Sequence, residues 1–141
     1  MLNRLKEKEE KIQQVLEELR EELARGVPVV VEGKNDIETL HALGIEGNIV
    51  TVKTGGKSFL DISTELEQSK VTQVILLLDF DRRGKQGTNR LRHCLEHAGI
   101  RVNLEFWRAV MHLVGRDVQC IEGLETYLTN LQTKLAAHAN R

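Results

Sequence analysis

Aromatic side chains are scarce in this sequence, with three Phe, one Trp and one Tyr among 141 residues. So few argue against a stacking platform of the kind that reads single-stranded bases. Cysteine is equally thin: Cys94 and Cys120 have neither CxxC spacing nor the density of a disulfide scaffold. Both read as reduced thiols of a cytoplasmic protein. Nor is there an excess of charge of one sign, because 20 basic residues stand against 21 acidic ones. No bulk cationic field announces a polyanion, and any anion site must be local. No apolar run approaches the roughly 18 residues of a membrane span. The longest, Val27 to Val31 and Val74 to Leu78, read as buried strands. The opening MLNRLKEKEEKIQQ has no apolar segment behind its charges, so nothing there suggests a secretory signal. With 40% of residues hydrophobic and 29% charged, the composition is that of a globular chain of one ordinary domain.

What is present falls into two textures. Residues 1–26 form a predicted amphipathic helix: Leu2 to Arg25 contains no Gly or Pro and is rich in Glu, Lys, Leu and Gln. Leu5, Ile12, Leu16, Leu19 and Leu23 line one helical face, with Glu9 in the missing position of the stripe. The stripe either packs on the body of its own domain or pairs with a second copy in a short coiled coil, a route to a homodimer. Gly26 is placed to end the helix.

Residues 27–141 alternate short apolar runs with turn signals and helical patterns, the mark of βαβ units. Strands are expected at Val27 to Glu32, Asn48 to Lys53, Val71 to Phe80 and Arg101 to about Val110. Helices are expected at Asn35 to Leu43, Ser58 to Gln68, Gly87 to Ala98 and roughly Gly123 to Ala137. The fold class is therefore α/β, with about four parallel strands and helices on both faces. Ligands of such sheets bind outside the carboxyl ends of the strands.

Those ends carry acids. The first strand finishes at Glu32, followed by Gly33 and Lys34, and the third at Leu78-Asp79-Phe80-Asp81, followed by Arg82-Arg83-Gly84. Along a strand Asp79 and Asp81 would project to one side, where two carboxylates repel each other unless a cation lies between them. Magnesium commonly takes one or two carboxylates and completes its shell with water and phosphate oxygens. A bare DxD is frequent in loops, and Glu32 alone could serve a helix dipole. Three acids at the functional ends of two strands, each beside a glycine turn and basic residues, point further.

The segments VVVEGKNDIETLHALGI and LLLDFDRRGKQG resemble the Toprim domain of topoisomerases, bacterial primases, old-type nucleases and the ribonuclease that matures 5S ribosomal RNA. The likeness spans residues 27 to about 125 and is nearest to the RNA-maturation enzyme and to small single-domain Toprim proteins. It implies a Rossmann-like Toprim fold, Glu32 as a general acid or base, and Asp79 and Asp81, with Glu32, around Mg²⁺ or Mn²⁺. It also implies a nucleic-acid substrate, RNA or DNA. Lys34, Lys57, Arg82 and Arg83 are candidates for binding its phosphates. Asp36 and Glu122 are possible additions, each also well placed as a helix N-terminal carboxylate. Strand passage is not expected, because it needs a nucleophilic tyrosine on a separate domain and a gate, and the one tyrosine here is Tyr127 in the last helix. Three activities remain: endonucleolytic cleavage or RNA processing first, then a non-catalytic module holding a nucleic acid or nucleotide in a larger assembly, then primase-like nucleotidyl transfer.

Other signals rank lower. Thr54-Gly55-Gly56-Lys57-Ser58 invites a phosphate-loop reading, but Thr51 stands where that motif needs its first glycine. His93-Cys94-Leu95-Glu96-His97 matches an inverted zinc-protease motif that would need a third ligand from a distant helix. Trp107 and His112 read as packing residues.

Overall fold

The structure, a computed structural model, describes residues 2–52 and 58–139. The loop at Thr54 to Lys57, and with it the expected phosphate contact of Lys57, lies outside the described residues. Helix α1 (Leu2–Ala24) ends as expected, with Gly26 at φ +93° reversing the chain. Its stripe is buried within the chain: Ile12, Leu16, Leu19 and Leu23 lie in the same core as the sheet. At about 2 kcal/mol for each side chain withdrawn from water, this packing gives the helix ample reason to stay on its own domain.

Four short strands follow, β1 (Val29–Val31), β2 (Ile49–Thr51), β3 (Gln73–Leu76) and β4 (Arg101–Asn103). They form one parallel sheet in the order β2-β1-β3-β4, with Val30 opposite both Val50 and Leu76. Valines and leucines of β1 and β3 are inaccessible on both faces, as central parallel strands require. The helices between them are α2 (Lys34–Ala42), α3 (Phe59–Gln68) and α4 (Arg82–His97), followed after β4 by α5 (Glu105–Val114) and α6 (Leu124–Ala139). Helices α3 and α4 pack together, whereas α1 packs on α5 and α6. The apolar stripe that could have paired with a second copy is thus covered by this chain's own helices. Glu9, the polar break in the stripe, accepts a hydrogen bond from Gln132 of α6 at 3.2 Å.

Three expectations need correction here. The fourth strand stops at Asn103 instead of running to Val110, and α5 takes over. The Asn103 side chain accepts from the Glu105 amide at 2.8 Å and so starts the helix. Phe106, Trp107, Val110 and Val114 then recur on one buried face, while His112 points outward, exposed, instead of packing. Helix α4 begins five residues earlier than Gly87, at Arg82, because Asp81 caps it by accepting from the Gly84 amide at 2.7 Å.

Candidate functional site: an acidic cleft at the strand ends

The connection from β1 leads to β2 on one side, whereas that from β3 leads to β4 on the other. The chain therefore parts between β1 and β3, and the crevice beyond their carboxyl ends is where this architecture receives ligands. Glu32 is the first residue after β1, and Asp79 lies three residues beyond β3. Both line one cleft of about 370 Å³, together with Gly33, Lys34, Asn35, Asp36, Cys120 and Glu122.

Each wall has a local cause. Gly33 turns β1 into α2, and its amide donates to Asp36 Oδ2 at 3.1 Å, so Asp36 caps the helix that it opens. Asp79 is fixed from both sides. The Leu78 carbonyl before it accepts from the buried indole Nε1 of Trp107 at 2.8 Å, and the Phe80 amide after it donates to the Gln119 carbonyl at 2.6 Å. Trp107 thus packs as expected, its ring tilted against Phe80 at 6.5 Å. From below, α4 approaches so closely that a side chain at Gly84 would meet the Asp79 carbonyl oxygen at 2.1 Å. Only glycine fits there. The opposite wall comes from a short 3₁₀ turn, Ile121–Gly123, which brings in Glu122, and Asn35 Nδ2 donates to Glu122 Oε1 at 3.3 Å.

Among the described residues, four carboxylates, Glu32, Asp36, Asp79 and Glu122, thus face one small space, with Lys34 the basic side chain in its lining. Asp36 is buried, and that burial pushes its carboxyl above the usual range; the negative charge of Glu122 adds to the rise, against hydrogen bonds from the Gly33 and Glu32 backbone. The Cys120 thiol is also pushed up, first by burial and then by the charges of Asp79, Asp36 and Glu122. Cys120 was not a candidate in the sequence, and no local signal marks it.

The remaining candidates lie elsewhere. Asp81 is outside this cleft, because the chain has left β3 and turned into α4, so strand alternation no longer aligns it with Asp79. It lines a neighbouring depression with Arg82, Lys85 and Asn89. Arg83 is exposed and lines neither. His93 and His97 are exposed on α4, and among the described residues no third acid, cysteine or histidine joins them to hold zinc.

A divalent ion fits the donor set. The cleft offers hard carboxylate oxygens and surplus negative charge, which suit Mg²⁺ or Mn²⁺. Among the described residues no group of three or more acids, cysteines or histidines is gathered tightly enough to enclose an ion by itself. Magnesium holds most of its shell as water and substrate oxygen and needs no such cage.

Comparison with known proteins agrees with this geometry. A family model described as Toprim domain matches residues 26–104. The chain is 38% identical to a UPF0292 protein of Methanocaldococcus jannaschii over 84% of this chain and 91% of that one. It is 31% identical to a UPF0292 protein of Methanosarcina barkeri over 89% and 85% respectively. A solved structure of a protein from Aquifex aeolicus superposes with a TM-score of 0.63 and 28% identity, covering 77% of this chain and 94% of that one.

Proposed function

Because this chain belongs to the Toprim domain family, whose general work is metal-dependent chemistry on nucleic acid, we propose that its acidic cleft cleaves phosphodiester bonds of RNA or DNA. One observation carries the reading: Glu32 and Asp79, from beyond the ends of paired strands whose connections leave in opposite directions, open on one cleft beside Lys34. In hydrolysis a water oxygen attacks phosphorus, a phosphorus–oxygen ester bond breaks, and the departing alkoxide takes up a proton. Glu32 takes the proton from the attacking water or delivers one to the leaving oxygen. The Lys34 ammonium holds a non-bridging oxygen or the next phosphate. Asp36, bonded to the Gly33 amide, keeps rigid the turn that aims Glu32. Glu32 and Asp79 would hold Mg²⁺ or Mn²⁺, which neutralises charge on the phosphoryl oxygens and acidifies water.

The scarcity of aromatics favours a second reading, in which the same cleft holds a nucleic-acid end without cutting it. Nucleotidyl transfer is a third, and it would use the same acids in the reverse direction. RNA and DNA hairpins incubated with Mg²⁺ or Mn²⁺ separate these readings. Turnover abolished by both Glu32→Gln and Asp79→Asn supports cleavage, and metal-dependent binding without turnover supports the holding module. Neither binding nor turnover would remove the proposal.

A further inference from the structure

Strand β4 ends the sheet on its side, so among the described residues no strand pairs with its outer edge. A groove of about 480 Å³ runs along that edge, walled by Arg92 and Glu96 of α4 and by Glu105 and Arg108 of α5, with Arg101 and Asn103 of β4 between them. We infer that this groove is a second, distal phosphate site, which grips a nucleic-acid strand leaving the acidic cleft; this rests on the reading of the cleft given above.

Three observations support it. First, the arginines are not spent on each other's neighbours. Arg92 is held by Asn89 Oδ1 at 3.0 Å and lies 3.3 Å from Glu96, whereas Arg101 and Arg108 pair with no carboxylate among the described residues. Two unpaired guanidinium forks beside one groove match the oxygens of phosphate. Second, the backbone adds a donor. The Arg101 amide turns inward to the Thr72 carbonyl at 2.9 Å, so the amide of Val102, the next residue, points outward to the open edge. Third, basic side chains of α4 line both the groove and the depression that holds Asp81, two residues beyond Asp79 of the cleft. On one side of helix α4, Arg82, Lys85 and Arg92 recur at steps of three and seven with no acid among them, whereas Arg83 and Arg90 lie on another side. Lys85 and Asn89 line the depression next to Asp79, and Arg92, on the same flank, lines the groove. Lys85 and Arg92 lie about 10 Å apart along the helix, a span that phosphates two apart on one strand can bridge. Glu96 and Glu105 keep the groove from being a general anion trap, so recognition there rests on the two forks and the edge amide.

The test uses the full chain in EDTA, so that no cutting occurs, with fluorescence anisotropy of labelled single-stranded RNA and DNA 12-mers. Arg101→Ala with Arg108→Ala, both at exposed positions, is expected to weaken binding about tenfold at low salt. The salt dependence should become shallower by about 1.4, the loss of two single-strand phosphate contacts. Arg101→Lys with Arg108→Lys should restore the slope but only part of the affinity. In ¹⁵N spectra, inorganic phosphate should shift the Val102 amide of wild type and not that of the alanine variant. Unchanged affinity and slope in that variant overturns the inference while leaving the cleft reading intact. Phosphate shifts without any arginine dependence of strand binding also overturn it, leaving a free-anion site only. Absence of strand binding by wild type overturns it as well, whatever the Mn²⁺ cleavage assay returns.

Discussion

Two glycines of α4 should respond oppositely to the same added methyl group. At Gly84 a Cβ would lie 2.1 Å from the Asp79 carbonyl oxygen, 2.5 Å from its carbon and 2.8 Å from its Cβ. The shortest of these is about 1 Å inside any real contact of that kind, and main chain cannot swing aside. Relief requires the first turn of α4 to back away from Asp79, which also strains the bond from the Gly84 amide to Asp81. Overpacking of this kind costs about 3 kcal/mol and a weakened cap about 1 more. At Gly87 the added atom would meet only the Phe59 ring at 3.4 Å and Leu78 at 3.7 Å. Alanine there gains helix propensity of about 0.5–1 kcal/mol over glycine. Urea titration of both variants should therefore give Gly84→Ala a large fall in midpoint at unchanged slope, equivalent to roughly 10 °C in Tm. Gly87→Ala should match or exceed wild type. Calorimetric Mn²⁺ titration should show weaker binding by Gly84→Ala, because the backbone that moves carries Asp79. If Gly84→Ala unfolds within about 0.5 kcal/mol of wild type, the close approach of α4 to Asp79 does not exist and this account of the site's rigidity fails.

Trp107→Phe keeps the ring but leaves the Leu78 carbonyl without its donor, so it should cost about 1–3 kcal/mol in urea titration and weaken Mn²⁺ binding. Burial raises the Asp36 pKa, so the folded state holds that proton more firmly than the unfolded one. In EDTA, stability should therefore fall as pH rises from the unfolded Asp value through the raised folded one, and Asp36→Asn should flatten that fall in a pH series of urea melts. The Cys120 thiol, held protonated by burial and by Asp79, Asp36 and Glu122, should react slowly with iodoacetamide near pH 8. Asp79→Asn should speed that reaction, as peptide mapping would show. Asp81→Asn should change Mn²⁺ affinity much less than Asp79→Asn, because Asp81 lies outside the cleft as the cap of α4.

Much of the architecture could be read from the residues, and the exceptions share a cause. Helix α3 was bounded correctly because Ser58 and Asp61 form a reciprocal cap that is written in the sequence. The start of α5 reads as strand because Val102, Leu104 and Phe106 alternate, hiding the Asn103 side chain that starts a helix two residues on. The start of α4 is hidden because Gly84 and Gly87 look like breakers, whereas the first is there for close approach to Asp79. Glu32 and Asp79 could be located because parallel strands deliver their ends to one rim. That Asp81 would turn aside could not be seen, since alternation was extended past Leu76, where the strand stops. Cys120 and the approach of Glu122 depend on how the segment after α5 folds back, and no local pattern encodes that return.

The bond between the Phe80 amide and the Gln119 carbonyl fastens the acid-bearing turn to a stretch that lies beyond the residues matching the family model. One lip of the cleft is therefore built from residues within the family match and the other from residues beyond it. A change of the Cys120 or Glu122 side chain can therefore alter what the mouth admits while Glu32 and Asp79, delivered by the ends of β1 and β3, keep their places on the other lip.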